Sequence, residues 1–333
     1  MKSRNLHDIL ITLILLVNLL FLGACQPISP TPTVTATEAD PEPTEPTLEI
    51  SEEPAAPTET PTDEPEPTPT ETPEATEEVT EAPGLPSPPV PQYIQTADGE
   101  TLEGTFYPAA VPGAPLVILM HWAMGDQTDW RAIAPWLQNR GEGQDIYDGP
   151  ANWQDPTWFP AIPEENSYNV FTFTFRGCQG GCQDFNREGW LLDVEAAMTH
   201  AATLEGVDPA RVMALGASIG ADGAAYGCHY YNQEQGGGCL GAMSLSPGGY
   251  LTIPYPEEVK ALSDETPPTP AWCLYADGDG TAAAACQGAE GALYRAVQYE
   301  DAAHGMALIT KERAPNPLDL ILEFINQFLQ PAS

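Results

Sequence analysis

The stretch Asp208–Gly223 reads D-P-A-R-V-M-A-L-G-A-S-I-G-A-D-G. Its first half carries the apolar run Val212–Leu215, which predicts a strand over Arg211–Leu215. Its second half opens a run of small residues, Ala221, Gly223, Ala224 and Ala225, and predicts a helix over Ile219–Tyr230. Between the two lies Gly216-Ala217-Ser218-Ile219-Gly220, a G-x-S-x-G. The pattern alone is weak, because ordinary Gly and Ser usage gives it by chance about once in ten chains of this length. The flanks strengthen it. A strand that runs straight into a helix leaves room only for a sharp turn, which strains the serine and admits only Gly or Ala beside it. The plainer alternative is a Gly-rich helix start with a capping serine. The context favours the strained turn, with Ser218 as a candidate nucleophile.

Outward from that turn, strand and helix patterns alternate. Tyr93–Thr96 and Thr101–Tyr107 read as antiparallel strands around Asp98-Gly99. Pro115–Met120, P-L-V-I-L-M, reads as a strand covered on both faces. Trp130, Ile133, Ala134, Trp136 and Leu137 recur at helical spacing, which predicts a helix over Asp126–Asn139. Residues 141–166, rich in Gly, Pro, Asp and Trp, read as an insertion. Its Trp153, Trp158 and Phe159 either line a pocket or cover the sheet edge. Further strands are expected at Val170–Phe175, Leu240–Leu245, Pro270–Ala276 and Ala292–Tyr299. Helices are expected at Gly189–Leu204, with Leu191, Leu192, Val194, Ala197 and Met198 inward, and at Pro317–Phe328. The order implies an α/β protein with a mostly parallel central sheet and helices on both faces. Between Leu245 and Pro270 the chain is too short for a large lid domain.

Charge is distributed unevenly. Of the 333 residues, Lys+Arg number 11 and Asp+Glu 48, for a net charge of -37. Residues Gln26–Pro91 hold 18 of the 36 prolines, 14 threonines, 16 acids and no base. Such a segment cannot bury enough apolar surface to offset its ordering entropy. Thr-Pro and Glu-Pro steps favour extended polyproline II, with a reach on the order of 200 Å at ~3 Å per residue. Ahead of it, Lys2 and Arg4 precede an apolar run from Ile9 to Leu22, the pattern of an export signal, or of an anchor helix that is never cleaved. Leu22-Gly23-Ala24-Cys25 resembles a bacterial lipobox, which implies cleavage before Cys25 and a lipid on its thiol. The organisation expected is a signal at 1–24, a lipidated Cys25 with a disordered tether at 25–91, and one domain at 92–333. That places the domain outside a bacterial membrane, at the cell surface or on a periplasmic face. The acidity excludes a nucleic-acid partner, which needs a basic face.

Six cysteines remain beside Cys25, in local pairs: Cys178 with Cys182, Cys228 with Cys239, Cys273 with Cys286. An even count in an exported chain suggests disulfides, although six cysteines allow 15 connectivities. Free thiols are one alternative. Zinc is another, but the C-x3-C step has no matching half, so no metal is expected.

Asp208–Gly223 resembles the nucleophile region of the α/β-hydrolase family, close to its small esterase and dienelactone-hydrolase-like members. The resemblance covers most of Gln92–Ser333. Phe173–Gly181 is similar to the family's F-R-G-x-G turn, and Trp190-Leu191-Leu192-Asp193-Val194 to the helix after it. The family's chain order, Ser then acid then His, implies roles for later residues. The acid is expected three residues past Ala276, at Asp279, with Asp277 as its rival. Of the five histidines, only His304, in D-A-A-H-G-M, follows both Ser218 and the acids, and it is the expected base. The resemblance assigns the oxyanion N–H groups to Ala123 and Ile219. His121 is read as a structural residue before that loop. His121-Trp122-Ala123-Met124-Gly125 departs from the family's His-Gly-x-x-Gly, since Trp122 replaces the first glycine. Asp222 faces either the pocket or solvent. The implied activity is cleavage of small-molecule carboxylic esters through an acyl-enzyme, without cofactor or metal. A serine peptidase or amide hydrolase, and a non-catalytic binding module on the same scaffold, are the alternatives.

Overall fold

The computed structural model describes residues 86–139 and 149–329. The signal, Cys25 and nearly all of the tether reading lie outside the described residues, as does the first part of the 141–166 insertion.

Eight strands form one sheet: β1 (Val90–Gln95), β2 (Thr101–Tyr107), β3 (Ala114–Met120), β4 (Asn169–Phe173), β5 (Val207–Ala217), β6 (Cys239–Leu245), β7 (Ala271–Ala276) and β8 (Tyr294–Tyr299). Their order is β1-β2-β4-β3-β5-β6-β7-β8. β1, β2 and β4 pair antiparallel, and every pair from β4 onward is parallel. β1 opens at Val90, so the sheet takes in two residues that the sequence reading assigns to the tether. Every residue of β3 is buried, as its unbroken apolar run predicts.

Alternation divides the core into two layers. Leu116, Ile118 and Met120 of β3, Val212 and Ala214 of β5, and Cys273 and Tyr275 of β7 face one layer. That layer also holds Trp190, Val194, Ile219, Ala224, Tyr255 and Ala282. Val117 and Leu119, Met213 and Leu215, and Trp272 and Leu274 face the other, with Ile133, Leu137, Leu318 and Phe324.

The helices are α1 (Ile133–Leu137), α2 (Arg187–Ala202), α3 (Ile219–Gln235), α4 (Tyr255–Asp264), α5 (Gly280–Gly288) and α6 (Pro317–Phe328). The single helix expected over Asp126–Asn139 is two shorter pieces. Asp126 caps a 3-10 turn at Gln127–Trp130, and α1 starts only at Ile133. Pro135 has no N–H to give, and Asn139 ends the segment at a φ of 56°. Both pieces still bury the apolar positions that suggested a helix, Trp130, Ile133, Ala134, Trp136 and Leu137.

On α2, Leu191 and Leu192 are only half-buried, contrary to expectation, and Trp190 and Asp193 take the inward places. Asp193 is buried because Arg176 reaches it, Nε to Oδ1 at 2.7 Å, while the Arg176 N–H donates to Oδ2 at 2.9 Å. Helices α4 and α5 have no counterpart in the sequence reading. α4 lies between β6 and β7 but packs Tyr255, Val259 and Leu262 into the core, so no large lid is evident among the described residues.

Candidate active site

Chain order reverses direction across the sheet after β3, with β4 on one side and β5 on the other. In such sheets the crevice beyond the strands' carboxyl ends collects functional groups. Here β3 delivers His121–Gly125 and β5 delivers Ser218 to that edge.

Ser218 has φ 54° and ψ −114°. Only close packing on both sides holds a non-glycine residue there. A Cβ on Gly216 would collide with the Gly220 carbonyl, and one on Gly220 with the carbonyls of Met120 and His121. Both glycines of the motif are therefore steric requirements. Ser218 donates its N–H to the Leu245 carbonyl at 2.9 Å, and its own carbonyl accepts from Ala221 N–H at 2.9 Å, which starts α3.

β7 ends in Asp277-Gly278-Asp279. The Asp277 N–H donates to the Tyr299 carbonyl and the Gly278 N–H to the Asp301 carbonyl, which swings the chain toward the loop after β8. Asp279 caps α5 and turns Oδ2 to Nδ1 of His304 at 2.5 Å. The other imidazole nitrogen, Nε2, lies 2.8 Å from Ser218 Oγ. Since the carboxylate can only accept, Nδ1 carries the proton and Nε2 accepts from the serine hydroxyl. Asp277 instead accepts from Gln298 Nε2 at 3.4 Å. Of the two rival acids, Asp279 is the one brought to the histidine.

The other described histidines go elsewhere. His121 is fully buried; its Nδ1–H donates to the Trp122 carbonyl at 2.7 Å and its Nε2 accepts from Phe175 N–H at 3.0 Å. Burial pushes it down to about 4, so it stays neutral and ties the loop after β3 to the end of β4. His200 meets Gln92, and His229 meets Glu265.

The loop bearing Ala123 rests on the Cys178–Cys182 turn. Cys182 N–H donates to the Ala123 carbonyl at 2.8 Å, and Gly180 N–H to Asp126 Oδ2 at 2.8 Å. Cys178 and Cys182, Cys228 and Cys239, and Cys273 and Cys286 are disulfide partners, the three local pairs. Among the described residues, nothing accepts a hydrogen bond from the N–H of Ala123 or of Ile219.

Trp122, in place of the family's glycine, lies beside Gly305, where a Cβ would come within 2.9 Å of its ring. Gly305 has φ 57° and follows the histidine directly. Trp153 stands perpendicular to Trp122, with ring centroids 5.7 Å apart. Trp158 packs on Phe159, and Phe159 on Trp136, so the insertion's aromatics divide. One reaches the site and two cover the layer beneath the sheet. Burial pushes Asp129, beside Trp122 and Trp153, up to about 6.

Sequence reasoning did not identify Tyr250, whose ring stands perpendicular to His304 at 5.9 Å. It also left Asp222 open. Asp222 is buried and accepts from the turn that carries Tyr250. A buried acid one helical turn past Ser218 was the available signal; its partners lie 26 and 28 residues away.

No protein-family model and no curated protein matches the sequence. Solved structures do resemble the fold. The Pyrococcus furiosus esterase Pf2001 superposes with a TM-score of 0.51 at 13% identity, over 73% of this chain and 94% of that one. EstE1, a thermophilic carboxylesterase cloned from a metagenomic library, superposes with a TM-score of 0.52 at 18% identity, over 74% of this chain and 90% of that one. Taken with the mostly parallel eight-stranded sheet and the strained serine turn between β5 and α3, these likenesses identify the architecture as the α/β-hydrolase fold.

Proposed function

We propose that this protein is a serine hydrolase of small carboxylic esters, held outside a bacterial membrane by a lipid on Cys25. The observation that carries the reading is the hydrogen-bonded row Ser218 Oγ–His304–Asp279, with His304 Nε2 free to accept. In the first half-reaction Ser218 Oγ attacks the acyl carbonyl while Nε2 takes the hydroxyl proton. Asp279 holds the tautomer and stabilises the imidazolium. His304 then gives the proton to the leaving alcohol. Water enters, loses a proton to Nε2 as it attacks the acyl carbon, and His304 returns that proton to Ser218 Oγ as the acid leaves. The free N–H groups of Ala123 and Ile219 are suited to the developing oxyanion, at about 3–4 kcal/mol of barrier each. The domain after the tether carries 31 acids and 9 bases, or about −22. That field disfavours polyanionic substrates.

Ser218→Ala is expected to lower p-nitrophenyl acetate turnover by roughly 10⁴-fold or more, and to abolish labelling by a fluorophosphonate, with the far-UV circular dichroism unchanged. Retained turnover rejects the nucleophile. For the anchor, Cys25→Ala is expected to shift the protein from the membrane fraction to the soluble one; a variant that stays with the membrane rejects the lipid.

A further inference from the structure

The turn after β6, Ser246-Pro247-Gly248-Gly249-Tyr250-Leu251, is held from two sides. From within, Asp222 Oδ1 accepts Gly248 N–H at 3.1 Å, and Oδ2 accepts Tyr250 N–H. The N–H groups of Gly249 and Leu251 also face this carboxyl. No cation among the described residues pairs with it, so the turn itself must satisfy a group only 1% exposed. From outside, Arg187 Nε donates to the Tyr250 carbonyl at 2.9 Å, and Nη2 to the Gly249 carbonyl. Gly249 has φ 67°. At Gly248 the space of a Cβ is filled by the Tyr250 ring, which folds back over it. Glycine at 248, left-handed backbone at 249 and anchored peptides on both sides aim the Tyr250 ring in one direction. It lies perpendicular to the His304 imidazole, with centroids 5.9 Å apart. His304 itself is one-third exposed and sits on a loop, held through its two ring nitrogens by Asp279 and Ser218.

We infer that Asp222 is a positioning residue for the base: by holding the Gly248–Leu251 turn it keeps the Tyr250 ring against His304, with the imidazole in line between Asp279 and Ser218. The inference rests on the hydrolase reading for its consequence in turnover, but not for its geometry. A loosened base loses the alignment that proton transfer from Ser218 needs.

The test is a double-mutant cycle on the full chain, read as kcat and KM for p-nitrophenyl acetate. Tyr250→Ala is expected to lower kcat about tenfold with KM changed less than about threefold. Tyr250→Phe is expected to lose less kcat than Tyr250→Ala, because the ring is what meets His304. Asp222→Asn presents a donor where an acceptor is needed, and is expected to match Tyr250→Ala. Combined with Tyr250→Ala it adds no further loss, since it acts through that ring. Multiplied losses in the double variant, or wild-type kcat in Asp222→Asn, overturn the inference. Should Asp222→Asn not fold, Arg187→Ala serves from the exposed side of the turn: a kcat loss that vanishes in the Tyr250→Ala background supports the inference, and an unchanged kcat overturns it. If the wild-type protein cleaves no ester, the hydrolase reading fails by itself. The positioning role is then decided by NMR of the His304 imidazole, where Asp222→Asn and Tyr250→Ala must shift the same resonances alike; unmoved resonances overturn it.

Discussion

Ser218 adopts its strained backbone because everything around it leaves no alternative. Gly220 touches the end of β3 with no side chain, and the atoms in the way are main-chain carbonyls that cannot move aside. Gly220→Ala is therefore expected to destabilise the fold by about 3 kcal/mol, seen as a lower urea midpoint. An unchanged midpoint contradicts the steric argument. Gly216 acts on its near neighbour Gly220, whereas Gly220 acts on β3, so the pattern made both legible but only the first of the two contacts is local. The choice between Asp277 and Asp279 was not legible from the residues alone. Both stand next to Gly278, two apart, and local pattern treats them alike. The turn at Gly278, whose missing Cβ allows close approach to Asp301, is what sends one to His304 and the other to Gln298. Trp122 is a similar case. Its departure from the family pattern is visible in the sequence, but its place against Gly305 and Trp153 depends on segments far away along the chain.

Among the elements, the Cys178–Cys182 turn and the loop after β3 form one unit. The turn closes a five-residue ring and supplies the N–H groups that hold Ala123 and Asp126. So short a ring contributes only about 2 kcal/mol through chain entropy, against about 3 kcal/mol for the two longer ones. Replacing both Cys178 and Cys182 by Ser is expected to lower ester turnover severalfold as well as the melting temperature. Replacing Cys228 and Cys239, which join α3 to the start of β6, is expected to lower the melting temperature further and to leave turnover unchanged. If both pairs affect only melting, the first turn does not support the loop. Strands and the long amphipathic α6 were legible because their periodicity reports burial directly. The helix over Asp126–Asn139 was misread because apolar spacing shows which residues face inward, and not whether the backbone between them stays hydrogen-bonded through Pro135. Leu191 and Leu192 were misjudged for a different reason. An acid, Asp193, took an inward place because Arg176 compensates its charge, and that pairing spans 17 residues.

Across the whole molecule, the negative charge and the buried acids give one shared pH dependence. Burial raises Asp222 and Asp129 to about 6, and Glu258 to about 7. Each then binds more protons folded than unfolded between its ordinary value and its raised one. Stability from these groups is gained as pH falls through that window, and is lost as pH rises through it up to about 6–7. Asp301, held low by its bond to Arg313, acts oppositely, and its contribution fades below the ordinary carboxylate range. Self-repulsion of the acidic domain also eases on acidification. Melting followed by calorimetry is expected to rise by at least ~3 °C from pH 8 to pH 5, which about 1 kcal/mol produces in a domain of this size, and to fall again below pH 4. A melting point that drops steadily from pH 8 to pH 5 contradicts this assignment of the buried carboxyls.

The order of the strands, helices α2, α3 and α6, the strained serine turn, the candidate base and the local cysteine pairs were readable from the chain. Each is encoded by residues adjacent in sequence or by their order along it. The sheet order, the two-sided clamp on the Tyr250 turn, the Arg176–Asp193 pair and the seat of Trp122 were not. Those depend on which segments meet at the carboxyl edge of the sheet. That meeting follows from how two core layers close over eight strands, a property of packing that no window of sequence contains.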